Sequence, residues 1–196
     1  MPVDEKLLVS TSPHIRSKES IPRIMWTVVA ALVPAAIAGC MFFGWRAILI
    51  IVGSIVVSVA TEAAILAFRK KPVSQAFDGS AVVTGLLFAM VISSNVSWYL
   101  VVIGAFFSIA AAKHLFGGLG YNIWNPALAG RAFVLLAWSL QMTAGWASPG
   151  DVDVPTAATA LNAVKTSVAN AGPYSIADLF MGNVPGCIGE TSALLL

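Results

Sequence analysis

The chain has 196 residues, 58% of them hydrophobic and 10% charged, with a mean hydropathy of +0.86. A water-soluble domain carries about 25% charged residues, so a single-domain integral membrane protein is expected. The formal net charge of +2, with no long basic run, excludes a nucleic-acid partner, and Cys40 and Cys187 match no zinc or iron–sulfur spacing and read as small buried residues.

The first 24 residues are mostly polar and form an N-terminal arm, 1–24. The apolar run behind them is too long for the core of a signal peptide, so a cleavable leader is not expected. About 20 apolar residues cross a bilayer as a helix. That length predicts spans over 25–43, 47–68 (containing Glu62), 81–93, 98–116 and 126–146 (containing Arg131). The third is short. A sixth apolar stretch begins near Ile176 and is broken by Gly182, Pro185, Gly186 and Gly189. The predicted fold class is an all-α integral membrane protein of five to six transmembrane helices, some short or broken. Its parts are the arm, a five-helix membrane domain over 25–146, a polar loop over 147–175, and the start of further membrane structure over 176–196.

Basic residues set the orientation of a membrane protein. Lys6, Arg16, Lys18, Arg23, Arg69, Lys70, Lys71, Lys113 and Arg131 fall on one side of a five-span arrangement, and only Arg46 and Lys165 on the other. The N-terminus is therefore expected in the cytoplasm and the 147–175 loop outside it. The chain stops at Leu196 inside an apolar run, Thr191-Ser192-Ala193-Leu194-Leu195-Leu196, and a helix of seven or eight residues there is too short to cross a membrane. A piece of a longer protein is expected, with a membrane-dipping terminus as the alternative.

Asp78-Gly79-Ser80 opens the short third span. An acid, a glycine and a hydroxyl at a helix start make a capping signature; they also suit a discontinuous half-helix that aims its amides at an anionic group. Gly189-Glu190-Thr191-Ser192 has a similar look and hints at an internal repeat. The 116–126 connection carries Gly117, Gly118 and Gly120, the amides of Asn122 and Asn125, and the rings of Tyr121 and Trp124. That kit fits a flat heteroaromatic ligand or an interfacial turn with aromatics at headgroup depth. It is no phosphate loop, because no Gly-Lys-Ser/Thr follows. Glu62 and Arg131 are charges at membrane depth, costly unless paired or functional. Glu62 reads as an ion-path carboxylate or a structural partner, and Arg131 either as a residue near the cytoplasmic end that snorkels to the interface or as a paired or functional charge. Lys113 and His114 sit close to the interface, where His114 reads as a polar boundary residue rather than a ligand, while His14 says nothing. In the loop, Asp153, Pro155, Thr156 and Thr159 stand among alanines, the pattern of a helix N-terminus. No general base, nucleophile triad or metal cluster points to a self-contained hydrolase or transferase.

Several of these segments together resemble one family: the RnfD component of the Rnf electron-transport complex, with its relative NqrB of the sodium-pumping quinone reductase. They are Lys6 to Arg16, Asp78 to Leu87, Lys113 to Ala127 and Gly130 to Phe133. The resemblance covers essentially the whole chain, and the short N-terminal arm is closer to the Rnf component. It implies FMN held covalently through a phosphoester to the last threonine of an Asp-x-x-Ser/Thr-Gly/Ser/Ala-Ala-Thr motif. Asp153, Thr156, Ala157, Ala158 and Thr159 match that motif in order, which maps the bond to Thr159. Pro155 and Ala160 depart from the usual pattern. The resemblance further implies a flavin transferase that uses FAD as donor, and a second, non-covalent flavin (riboflavin) in the membrane. It also implies other Rnf complex subunits as partners, surrounding membrane lipid, and placement in the cell inner (plasma) membrane. Its fold would be urea-transporter-like, with two inverted five-helix halves, of which this chain is the first plus the flavin loop and the start of the second. The implied function is electron relay between ferredoxin and NAD coupled to Na⁺ or H⁺ transport. The rival expectation is a flavin-free solute or ion channel of the same fold.

Overall fold

The computed structural model describes residues 19–143, 146–147 and 175–189. The described part is helical: α1 (Ile21–Phe68), a 3₁₀ turn (Val73–Phe77), α2 (Ser80–Met90), α3 (Trp98–Phe107), α4 (Pro126–Ala137), α5 (Ser139–Thr143) and α6 (Ile176–Met181). A π-helical segment, Ser108–His114, continues α3 without a break. Among the described residues the only β feature is an isolated bridge between Ala147 and Gly186. This apolar, all-helical architecture is consistent with an all-α membrane protein.

Helix α1 is two arms joined at Gly44, whose φ of 66° and ψ of −154° fall where a residue with a β-carbon is strained. The arms fold back on each other. Val33 and Ile37 of the first line one groove with Ile51 and Ile55 of the second. Met25 and Glu62, which a straight helix would hold about 55 Å apart, both reach Ser80: Met25 shares a cavity with it, and Lys113 bridges it to Glu62. The second arm, residues 45–68, is about 36 Å long, enough for a hydrocarbon layer of roughly 30 Å. Exposed Arg46 and Arg69 mark its two ends. The boundary expected between 25–43 and 47–68 therefore falls where the chain turns.

The third expected span is an 11-residue helix, α2, about 16 Å long and hence half a crossing. Its C-terminal carbonyls would be orphaned inside the protein. The 187–189 segment satisfies them: Gly189 N donates to Met90 O at 2.8 Å and Ile188 N to Ile92 O at 3.1 Å, and Cys187 Sγ donates to Val91 O at 3.2 Å. Gly39 makes room for this return, since a β-carbon there would lie 2.5 Å from Ile188 O. The fifth expected span is corrected. Helix α4 ends at Trp138, which leaves helical geometry (φ −133°, ψ 53°), and the chain resumes only as the five residues of α5. Hydropathy reports polarity along the run, and it is blind to a backbone break inside it. Trp138 turns its ring edge-on to Phe133, with centroids 6.4 Å apart.

Small residues bring the helices together, as packing within lipid demands. Gly85 lies against Ile55 and Ser54 of α1, Gly104 of α3 against Phe88 of α2, and Gly130 of α4 against Ser108. Beside that last contact the rings of Phe107 and Phe133 stack at 4.0 Å.

Candidate functional site

Three elements converge on one polar cluster inside the apolar bundle. The second arm of α1 presents Ser54, Ser58 and Glu62, all buried. Spaced four apart, they fall on one helix face. Opposite them α2 presents Ser80, Thr84 and Gly85. Ser54 Oγ donates to Gly85 O at 2.7 Å, and Thr84 Oγ1 to Ser80 O at 2.9 Å. The π-helical end of α3 supplies Lys113 and His114, buried as neighbours in sequence. Widening to an i→i+5 turn brings consecutive side chains closer to one face, and such turns occur frequently at functional sites.

Lys113 is 2% exposed and Glu62 4%. Lys113 Nζ donates to both Glu62 oxygens at 2.7 Å and to Ser80 Oγ at 2.7 Å. The three donors of an ammonium group match these three acceptors one for one. Ser80 Oγ in turn donates to Asp78 Oδ1 at 2.6 Å, and Ser80 N donates to the same oxygen at 2.8 Å. A continuous hydrogen-bonded chain thus runs Glu62–Lys113–Ser80–Asp78. His114 Nε2 lies 3.5 Å from Glu62 Oε1 and makes no hydrogen bond; Ser58 Oγ is likewise buried without one. Arg69, which caps the C-terminus of α1, donates to His114 O at 2.9 Å and ties the cluster to the polar end of the bundle.

One expectation changes here. Lys113 and His114, expected close to the interface, are both buried, with the Lys113 ammonium held inside the bundle by a carboxylate. Arg131 is half-buried, and its Nη2 donates to Cys187 Sγ at 3.8 Å, next to the end of the half-helix. Of the alternatives for Glu62, the structural partner is present and is Lys113. Asp78 acts one position before the cap, with Gly79 in the N-cap place at φ 92°. Cys187 is buried as expected, whereas Cys40 is only half-buried.

A cavity of about 310 Å³ adjoins the cluster, lined by Ser80, Thr84, Lys113, Asn122 and Asn125. Its far wall comes from the 116–126 connection, where Gly117, Gly118 and Gly120 all take positive φ. Asn125 caps α4 by accepting from Ala127 N at 3.0 Å. Tyr121 and Trp124 are exposed, and Trp124 packs edge-on against Phe116. Both sequence readings of this connection thus keep support: amides line a cavity, and the rings face outward. Thr156, Thr159 and Asp153 lie outside the described residues, as do His14, Lys165 and the Gly189–Ser192 look-alike beyond its first residue. No cluster of His, Cys, Asp and Glu able to hold a metal occurs among the described residues.

A short helix with its N-terminus on a buried ion-pair network and its C-terminus capped by a returning segment sits in an apolar, all-helical bundle consistent with an all-α membrane protein. The chain belongs to the NQR2, RnfD, RnfE family, whose family model matches residues 8–196. It is similar to the D component of the Na(+)-translocating ferredoxin:NAD(+) oxidoreductase complex of Acetobacterium woodii, 47% identical over 97% of this chain and 59% of the relative. It is also similar to the D component of the proton-translocating ferredoxin:NAD(+) oxidoreductase complex of Clostridium ljungdahlii, 42% identical over 96% of this chain and 59% of the relative. The corresponding component of the ion-translocating oxidoreductase complex of Rhodobacter capsulatus is 36% identical over 94% of this chain and 59% of the relative. The chain thus spans about three-fifths of the length of these curated relatives.

Proposed function

We propose that the chain is the flavin-bearing part of a membrane subunit in an ion-translocating ferredoxin:NAD oxidoreductase complex. The observation that carries this reading is family membership over residues 8–196 together with the ordered match of Asp153, Thr156, Ala157, Ala158 and Thr159 to the flavin-attachment motif. Thr159 offers a hydroxyl between small neighbours, which a flavin transferase with FAD as donor can reach to form the phosphoester. The attached FMN supplies one- and two-electron chemistry, and the protein holds and orients it. Other subunits of the complex are the partners, and the first half of a two-half inverted-repeat fold is the frame.

The proposed placement is the inner (plasma) membrane, with the N-terminus cytoplasmic and the loop outside. Exposed Arg69, Lys70 and Lys71 cluster at one end of α1's second arm and favour the cytoplasm for that end. The first residue of the loop supports the opposite placement for 147–175: Ala147 N meets Ser93 Oγ, on the connection that carries Asn95, the partner of Arg46 at the far end. The cavity beside Asn122 and Asn125, large enough for part of a flat ring system, supports a second, non-covalent flavin in the same chain. Glu62 and Lys113 are the groups through which a change of charge could be coupled to ion movement, because a buried charge pair inside an apolar bundle is costly unless it serves such a role.

In-gel flavin fluorescence after denaturation tests the reading. It is expected to persist in the wild type and to vanish in Thr159→Ala, with the FMN mass on peptide 151–165. The unmodified peptide alone, from cells that contain the flavin transferase, would overturn it and leave the flavin-free channel, which the names of the relatives do not favour.

A further inference from the structure

At the end of the bundle opposite Arg69 a groove of about 480 Å³ opens between the second arm of α1 and α3. Trp45, Arg46, Asn95 and Trp98 form its mouth. Both tryptophans are more than 60% exposed, and Arg46 Nη1 is anchored on Asn95 Oδ1 at 3.1 Å. α3 begins at the same mouth, and its N-cap residue Ser97 makes no side-chain cap bond. The first amides of a helix attract an anion, here beside a guanidinium. Deeper down, the walls are apolar: Leu49, Val101 and Val102. Gly53 leaves a gap, with nothing within 4 Å of where its β-carbon would stand.

We propose that this groove is a binding site for one anionic phospholipid, its phosphodiester at Arg46 and the start of α3, one acyl chain along Gly53. Three features choose a lipid over another occupant. The groove is cationic at one end and apolar along the rest, the polarity of a phospholipid. The mouth lies about 36 Å from the Arg69 end along α1, at headgroup depth for a roughly 30 Å hydrocarbon layer. Two exposed tryptophans flank it, as they do at a membrane interface. A helix from another polypeptide would match the wall and leave the guanidinium without an anion. The inference rests on the membrane placement proposed above and is independent of the flavin.

The test is lipid retention by the whole chain, extracted from its membrane and transferred to nanodiscs of phosphatidylglycerol and phosphatidylcholine, then read by native mass spectrometry. Wild type is expected to keep one phosphatidylglycerol. Arg46→Gln is expected to hold it about fivefold more weakly, the scale of one basic residue at an anionic surface; Arg46→Lys should retain most of the binding. Gly53→Leu fills the groove while leaving the cation in place, and it too should release the lipid. Equal retention in Arg46→Gln and Gly53→Leu would overturn the proposal. So would a photo-crosslinker at position 53 that labels peptide 151–165 or another polypeptide instead of an acyl chain. Either result leaves the chain in the membrane fraction, so it is distinguishable from failure of the membrane placement.

Discussion

Lys113 Nζ sits 2.7 Å from each carboxylate oxygen of Glu62, in a part of the bundle that both residues reach through apolar helices. The two charges offset each other's desolvation only while both are present. Glu62→Gln or Lys113→Met alone strands one charge and is expected to cost about 3–5 kcal/mol of stability. The double variant Glu62→Gln/Lys113→Met should recover most of that loss. Thermal unfolding of the four proteins in one detergent measures it. Equal stability of the double and single variants would show that the pair does not act as a unit.

Ser80 is expected to matter less for stability than for the position of the ammonium. It accepts from Lys113 and donates to Asp78, so Ser80→Ala removes a link and leaves Lys113 with one buried acceptor fewer. The expected loss is about 1–3 kcal/mol. Ser80→Thr keeps the hydroxyl and is expected to retain more stability than Ser80→Ala. If Ser80→Ala is neutral, the hydrogen-bonded chain to Asp78 contributes nothing.

The sequence made the helical scaffold readable and the site only partly so. Gly44 falls in the gap between two apolar runs, and Asp78-Gly79-Ser80 marks where α2 starts; both are local signals, and both fell where the chain turns. The Glu62–Lys113 pairing is not local. Lys113 lies at the end of an apolar run, where a basic residue ordinarily reaches water, and only the packing of α3 against α1 turns it inward. A usable hint was present: Ser54, Ser58 and Glu62 share one face of an otherwise apolar helix, and a buried polar stripe needs a partner. The break at Trp138 and the return of 187–189 to α2 leave no trace in hydropathy, because both are matters of backbone geometry.

Glycines at helix contacts are expected to divide sharply. A β-carbon at Gly130 would collide with Ser108 Oγ and lie 2.8 Å from Gly104 O, so α4 cannot keep its distance from α3. Gly130→Ala should cost about 1–3 kcal/mol through overpacking. Gly53 has open space around it and sits within a helix, so Gly53→Ala should be neutral or stabilising by about 0.5–1 kcal/mol. Midpoints of thermal unfolding in detergent decide between these; similar effects at the two positions would contradict the packing described for α3 and α4.

Cys187 reports on the segment that closes the half-helix. Its side chain is buried and donates to Val91 O, while Ile188 and Gly189 hold the carbonyls on either side. In a Cys40→Ala background, where Cys187 is the one remaining thiol, a membrane-permeant maleimide is expected to label it slowly. Gly39→Val places bulk where the Ile188 carbonyl and side chain now sit. The cheapest relief is withdrawal of 187–189 from α2, which uncovers the thiol and frees the carbonyls of Met90 and Ile92. Labelling should accelerate severalfold in Gly39→Val, and the change should be much smaller in the control Gly53→Val, whose β-carbon meets nothing within 4 Å. Fast labelling in the Cys40→Ala background alone, or equal rates in the two valine variants, would mean that 187–189 does not seal the end of α2.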